Sequence, residues 1–237
     1  ADGMEKLQLL KSDLIRCCDS SSKPIASDVN SRVQGLESMA ETLGVGQASS
    51  HSGLLSGEWE LLYSPEDITR SSPFFWAFRK AFPDASDQIF TITDGIPAPI
   101  KEVGPANQYI ALESSTQSGS FVSRVKVATL GGIATSMMTT RASIIGVEGL
   151  EGVRIKIDTT KPEESTILEK LGPLGEAINS NSPPFPSGEV LEKVRMGSSE
   201  VVMYTSFCDE TIRISRYDAS NEPFVWRRTS FRGEFEL

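Results

Sequence analysis

The chain has 237 residues, 38% of them hydrophobic and 23% charged, enough to bury a real core in one large domain or two small ones. A formal net charge of -9 argues against a nucleic-acid partner, because an acidic surface repels phosphate, and it gives no general attraction to anionic lipid. No apolar run is long enough to span a bilayer as a helix.

Residues 1–46 are predicted as a helical hairpin. Met4, Leu7, Leu10, Leu14 and Cys17/Cys18 recur every three or four positions, and after a Ser-Ser-Lys-Pro break Val29, Val33, Leu36, Ala40 and Leu43 share one face. Ser27 or Asp28 is the expected cap, with Gly44 and Gly46 as the stop. A polar linker follows, and 47–237 reads as one globular unit on which the hairpin packs.

From Leu54 the period drops to two residues. Leu55, Gly57, Trp59, Leu61 and Tyr63 lie on one face, with Glu58 and Glu60 on the other. Further strand-like runs occupy 88–94, 107–114, 119–129, 140–147, 152–158, 189–196, 200–208, 211–217 and 223–229. Short turns such as Ser118-Gly119, Glu148-Gly149 and Gly197-Ser198 separate neighbours. The fold class is therefore mainly β: an antiparallel up-and-down β-barrel of eight to ten strands after the hairpin. Residues 159–188 break the rhythm with a short helical stretch at Ile167–Leu171 and a proline-rich loop at Pro183-Pro184-Phe185-Pro186.

The densest feature lies between Ser72 and Pro83, where Phe74, Phe75, Trp76, Phe78 and Phe82 fall in nine residues. Pro73 suits a first helical position and Pro83 a stop. At about 100° per residue, Phe74, Phe75, Phe78 and Phe82 occupy one quadrant, with Trp76, Arg79 and Lys80 opposite. Three covers for that Phe face stay open: the mouth of the barrel, a lipid surface, or the core. Met137 and Met138, in the Gly-rich 131–139 connection, are expected on the other side of such a mouth or as ordinary packing. Phe121 and Val125 are expected to line the interior.

Catalytic chemistry is thin. His51 is the only histidine and sits in the linker without a pattern partner, so neither a hydrolase triad nor a zinc site is supported. Cys17, Cys18 and Cys208 lack metal spacing and read as free buried thiols. Gly131-Gly132 lacks a phosphate-loop pattern and reads as a bend. The inventory calls for no cofactor and no metal, and it suits a binder of a hydrophobic small molecule better than an enzyme. Asp209 falls at an inward phase if Met203, Thr205 and Phe207 face in. It would then meet a ligand head group or an arginine, or else cap a turn.

Two stretches carry a resemblance. Leu55-Ser56-Gly57-Glu58-Trp59-Glu60-Leu61-Leu62-Tyr63-Ser64 resembles the opening Gly-x-Trp strand of the plastid-lipid-associated proteins, or plastid fibrillins. Cys208-Asp209-Glu210-Thr211-Ile212-Arg213-Ile214-Ser215-Arg216-Tyr217-Asp218, with Pro223-Phe224-Val225 after it, resembles their closing signature, with Tyr217 where the family often has Gly. The resemblance implies a lipocalin-like barrel and a plastid protein of stroma, thylakoid or plastoglobule whose transit peptide has been cleaved or left out. It implies binding or carriage of an isoprenoid quinone, a carotenoid or another lipid. Rival expectations are a structural lipid-body coat at a peripheral membrane surface and a non-catalytic accessory protein docked on an enzyme. Oligomeric state is not legible. By the same resemblance Gly57 and Trp59 close one end of the barrel against an arginine of the last strands. Alternation places Arg216, on the Ile212/Ile214 face, as that partner rather than Arg213.

Overall fold

The computed structural model describes residues 2–20, 23–94, 106–129, 134–163, 165, 166, 172–174, 176, 183–217 and 220–231, with only the backbone of 91–94, 128, 129 and 134. The expected bend at Gly131-Gly132 and the short helix at Ile167–Leu171 lie outside the described residues.

Eight strands follow the alternating runs: β1 (Gly57–Tyr63), β2 (Asn107–Glu113), β3 (Ser118–Thr129), β4 (Ala134–Glu148), β5 (Gly152–Glu163), β6 (Glu200–Cys208), β7 (Ile212–Tyr217) and β8 (Phe224–Ser230). Each pairs antiparallel with the next, and β8 returns to β1, so the up-and-down sheet closes in a ring. Helices α1 (Asp2–Cys18) and α2 (Ala26–Leu43) form the hairpin. Helices α3 (Pro73–Ala81), α4 (Ser86–Asp94) and α5 (Ser187–Val194) lie in the connections. No helix among the described residues is long and apolar enough to cross a membrane.

Several local expectations need correction. Residues 88–94 belong to α4 and 189–196 largely to α5. The β-branched residues of 88–94 favour a strand, but Phe90 is buried and packs its ring 6.0 Å from both Phe75 and Phe78, which a helix beside α3 permits. In α5 Leu191 is buried while Val190 and Val194 are exposed, a one-sided helical pattern. Gly188 lets this helix lie against β5, because a Cβ there would press into the Ile157 carbonyl. The α2 cap is also displaced: Ile25 holds the N-cap position with no side-chain bond. Gly44 ends the helix as expected, at φ 65° with its N–H turned back to the Ala40 and Glu41 carbonyls.

The ring has two buried faces where the hairpin lies. Inside, Trp59, Ile110, Phe121, Ala142, Ile144, Val153, Ile155, Met203 and Trp226 form one core. Outside, Leu7, Leu14, Val29, Val33 and Leu36 of the hairpin pack on Tyr63, Phe207, Ile212, Ile214 and Val225. Burial of each such aliphatic side chain contributes about 1.5–3 kcal/mol, so the hairpin is firmly seated. Arg216 with Glu37 at 2.7 Å and Lys11 with Asp209 tie it further.

A bulge makes the outer face continuous. Between Thr205 and Phe207 the β6–β7 register shifts by one residue. Met203 therefore belongs to the inner core and Phe207 to the outer one, although both sit at odd positions of one strand.

The up-and-down course sorts the connections to two ends. The turns 113–118, 148–152 and 208–212 lie at one end, and the long connections 63–107 and 163–200 at the other. The first end is called the base and the second the mouth.

Candidate functional site

The base is sealed by paired rings and guanidiniums. Trp59 is fully buried, and its Nε1–H donates to the Leu55 carbonyl at 3.0 Å. The Arg228 guanidinium lies 4.1 Å from the Trp59 ring centroid and donates to the Ser56 carbonyl at 2.7 Å, the Asp209 carbonyl at 3.1 Å and the Leu54 carbonyl. Gly57 makes room for it. At φ 142° a Cβ would stand 2.5 Å from the Arg228 Nη1 and 2.6 Å from the Ser230 carbonyl.

Arg213 enters the interior from β7 with no exposed surface. Its guanidinium lies 5.1 Å from the Trp59 ring and 4.7 Å from the Trp226 ring. It donates to the Gln108 Oε1 and, at 3.4 Å, to the Met203 sulfur. Burial pulls its pKa down to about 9, which leaves it charged at neutral pH. Among the described residues no carboxylate pairs with it.

Arg216 does not reach Trp59. It lies on the Ile212/Ile214 face, but that face points out to α2, where it meets Glu37 and the Ser206 hydroxyl at 2.9 Å. The rule that apolar means inward fails on a strand covered on both sides. The alternation Phe224, Trp226, Arg228 in β8 was the signal that could have found Arg228, since Phe224 and Trp226 both belong to the inner core.

Asp209 also sits at the base, under the hairpin. Its Oδ1 accepts from the Thr211 N–H at 2.7 Å, the Thr211 hydroxyl at 2.9 Å and the Ile212 N–H at 2.9 Å. Its other oxygen meets Lys11. Burial raises its pKa, but the Lys11 bond and the two amides outweigh that and hold it below the ordinary carboxylate value. It caps a turn and pins the hairpin, at the end of the ring opposite the Phe residues. The condition for an inward Asp209, Phe207 facing in, is removed by the bulge.

The mouth is built differently. After β1 a 3-10 turn, Ile68–Ser71, runs into α3. Asp67 caps the turn by accepting from the Thr69 N–H at 3.0 Å and hydroxyl at 2.7 Å. Thr69, Arg70, Ser71 and Ser72 are all buried. Gln108 Nε2 donates to the Ser71 carbonyl at 2.8 Å, and the Ser72 and Thr140 hydroxyls lie 3.4 Å apart. These bonds anchor α3 to β2 and β4.

The helix between Pro73 and Pro83 forms where the prolines place it, but it presents the other face to the ring. Trp76 and Ala77 are buried, Trp76 stacks on Tyr217 at 5.1 Å and 11°, and its Nε1–H donates to the Arg70 carbonyl at 2.5 Å. Pro73, Ala77 and Ala81, four residues apart, form a narrow strip that lets the helix approach closely. Arg79 donates to Glu66 at 2.9 Å and to the Tyr217 hydroxyl, and Lys80 to the Glu200 carbonyl at 2.8 Å. The expected outward Trp76 is therefore corrected. An indole needs an acceptor when buried, and the Arg70 carbonyl supplies it.

Phe74, Phe75, Phe78 and Phe82 are half-buried. They run in edge and tilted contacts: Phe74–Phe75 at 5.3 Å, Phe74–Phe78 at 6.2 Å and Phe78–Phe82 at 4.9 Å, with Phe90 of α4 joined to them. The Arg70 guanidinium lies 3.8 Å from the Phe90 ring centroid. Phe74 and Phe82 also touch the inner core.

Phe121 and Val125 are fully buried on β3, and Val125 pairs with Met138 on β4. Met137 and Met138 are half-buried strand residues, not part of a loop, and as neighbours they face opposite sides. Topology thus brings Val125, Met138 and the Phe cluster to the mouth end and leaves Asp209 at the base.

The reactive side chains offer little. His51 Nδ1 lies 2.9 Å from the Ser50 hydroxyl, which itself donates to the Leu150 carbonyl at 2.7 Å. Burial pushes the Cys18 thiol up to about 12 and the Cys208 thiol to about 11, so both are protonated at neutral pH. Among the described residues no cluster of His, Cys, Asp or Glu could hold a metal.

Comparison of the chain with protein-family models, with curated proteins and with solved structures returns no match.

Proposed function

We propose that the protein binds a hydrophobic small molecule at the mouth of a lipocalin-like ring and holds or shuttles it without catalysis. The observation that carries this reading is the half-buried cluster of Phe74, Phe75, Phe78 and Phe82, set on a helix anchored across one end of a closed sheet. Rings in that state lose little by turning onto an apolar guest. Each Å² of apolar ligand surface removed from water contributes about 25 cal/mol. The α3–α4 connection acts as the lid through which ligand enters.

The resemblance to plastid lipid-associated proteins supplies the ligand class, an isoprenoid quinone, a carotenoid or another lipid, and a plastid thylakoid, plastoglobule or stromal setting. The placement of Trp76 supports a carrier over a lipid coat. With Trp76 buried against Tyr217 and Arg79 tied to Glu66, the indole that would anchor this side of α3 in a lipid interface is turned to the protein instead.

The test is native mass spectrometry with lipid extraction of the purified protein, alongside liposome flotation. A stoichiometric lipid that is lost in a Phe74→Ser/Phe78→Ser double variant supports the carrier. Flotation lost in that variant, with no lipid recovered from either protein, would replace it with a coat.

A further inference from the structure

At the mouth end of the ring, between α3, the start of α4, β6 and β7, lies an open cleft of about 540 Å³ lined by Trp76, Arg79, Lys80, Ser86, Val201 and Tyr217, with Pro83 and Asp87 also on its wall. That volume falls in the range of small-molecule sites, about 300–1,000 Å³. Its walls are of two kinds. Trp76 stacked on Tyr217, with Val201, makes an apolar wall. Arg79, Lys80 and Ser86 make a wall of hydrogen-bond donors.

Two observations set this cleft apart from an ordinary surface groove. Ser86 is 1% exposed, and its hydroxyl has no partner among the described residues. A buried hydroxyl without a partner costs free energy, and an acceptor brought by a ligand would remove that cost. Of the two cations lining the cleft, Arg79 is paired with Glu66 at 2.9 Å, whereas Lys80 has no carboxylate partner among the described residues and donates to the Glu200 carbonyl. Electrostatics here favour an anion, against the sign of the whole molecule.

We infer that this cleft binds an amphiphile with a single carboxylate: its apolar body lies on Trp76, Tyr217 and Val201, and its carboxylate accepts from Lys80 Nζ and the Ser86 hydroxyl. The one ammonium without a carboxylate partner matches a carboxylate rather than a doubly charged phosphate. Lys80 donates to the Glu200 carbonyl in the structure and has further N–H groups for a carboxylate. Arg79 is held by Glu66 and the Tyr217 hydroxyl and shapes the wall. The cleft lies on the face of α3 opposite the Phe cluster and does not depend on that reading.

The experiment is a calorimetric titration of the purified protein with laurate below its micelle concentration, and with dodecanol as the uncharged control. Laurate is expected to bind one site and dodecanol about tenfold or more weakly, as the loss of a charge-assisted hydrogen bond predicts. Lys80→Gln should weaken laurate by about tenfold and leave dodecanol unchanged. Ser86→Ala should weaken laurate several-fold while leaving the melting temperature equal or higher, because the hydroxyl it removes is unpartnered. A merely structural serine would move the melting temperature and not the affinity. Phe74→Ser/Phe78→Ser should leave laurate binding intact, which keeps this site distinct from the Phe cluster. Equal affinity for dodecanol and laurate, or unchanged laurate affinity in both Lys80→Gln and Ser86→Ala, would overturn the inference, as would the absence of saturable binding.

Discussion

The two ends of the ring solve the same problem with different materials. The base uses short turns and interlocked side chains: Trp59 and Trp226 with Arg213 between them, and Arg228 strapped to backbone carbonyls. The mouth uses a separate helix, laid across the opening and held by hydrogen bonds from Gln108 and Ser72. At the base Trp59, Trp226 and Arg213 are fully buried and, with Arg228, hold one another in place, whereas the rings at the mouth are half-buried and still have surface to offer. Rigidity at one end and adaptable apolar surface at the other is the division expected of a container.

That contrast can be broken most severely at the base. Trp59→Ala is expected to cost about 3–5 kcal/mol in chemical denaturation, since it empties the site on which both arginines rest. Gly57→Ala should follow at about 1–3 kcal/mol, because a Cβ there meets the Arg228 side chain and the Ser230 carbonyl at a φ that suits glycine. At the mouth, Phe78→Ser should cost only about 1 kcal/mol, the ring being half-exposed, while lipid recovery falls. If Phe78→Ser destabilised as much as Trp59→Ala, the two ends would not differ in kind.

The Asp209–Lys11 contact gives a pH-dependent version of the same comparison. Its folded pKa lies below the unfolded one, so its stabilisation is complete above the unfolded value, about 4, and is lost as pH falls through the folded value. Asp209→Asn should flatten the acid limb of a stability–pH curve without altering ligand binding at the mouth. The smallest effect expected is from Arg216→Ala, about 1 kcal/mol or less, because its pair with Glu37 is partly exposed.

Period-two alternation locates most strands and period 3.6 the hairpin, because each element there has one dominant apolar face. What alternation does not carry is which face is inside. In β7 the more apolar side, Ile212 and Ile214, meets helices, and the side bearing Arg213, Ser215 and Tyr217 meets the interior. A sequence pattern is silent on that inversion until the hairpin has been placed. The α3 helix fails in the same way: its length and wheel are legible between two prolines, but Trp76 with two alanines outcompetes four phenylalanines for the ring. The single-residue bulge at Ser206 hides the fate of Phe207 and Asp209, since any fixed phase drawn through β6 is right on one side of it only. In α4 a helix hides behind strand-forming residues because Phe90 finds its neighbours in α3.

The seat of the hairpin also sets a schedule for synthesis. The surface that receives α1 and α2 is made chiefly of Phe207, Ile212, Ile214 and Val225, and β1 cannot gain its second neighbour until β8 exists. Helices α1 and α2 therefore leave the ribosome before the strands that cover them. Their apolar stripe must wait, uncovered, while the strands up to β8 are made. A ribosome stalled before residue 200 would release a chain with two greasy helices and an open sheet edge.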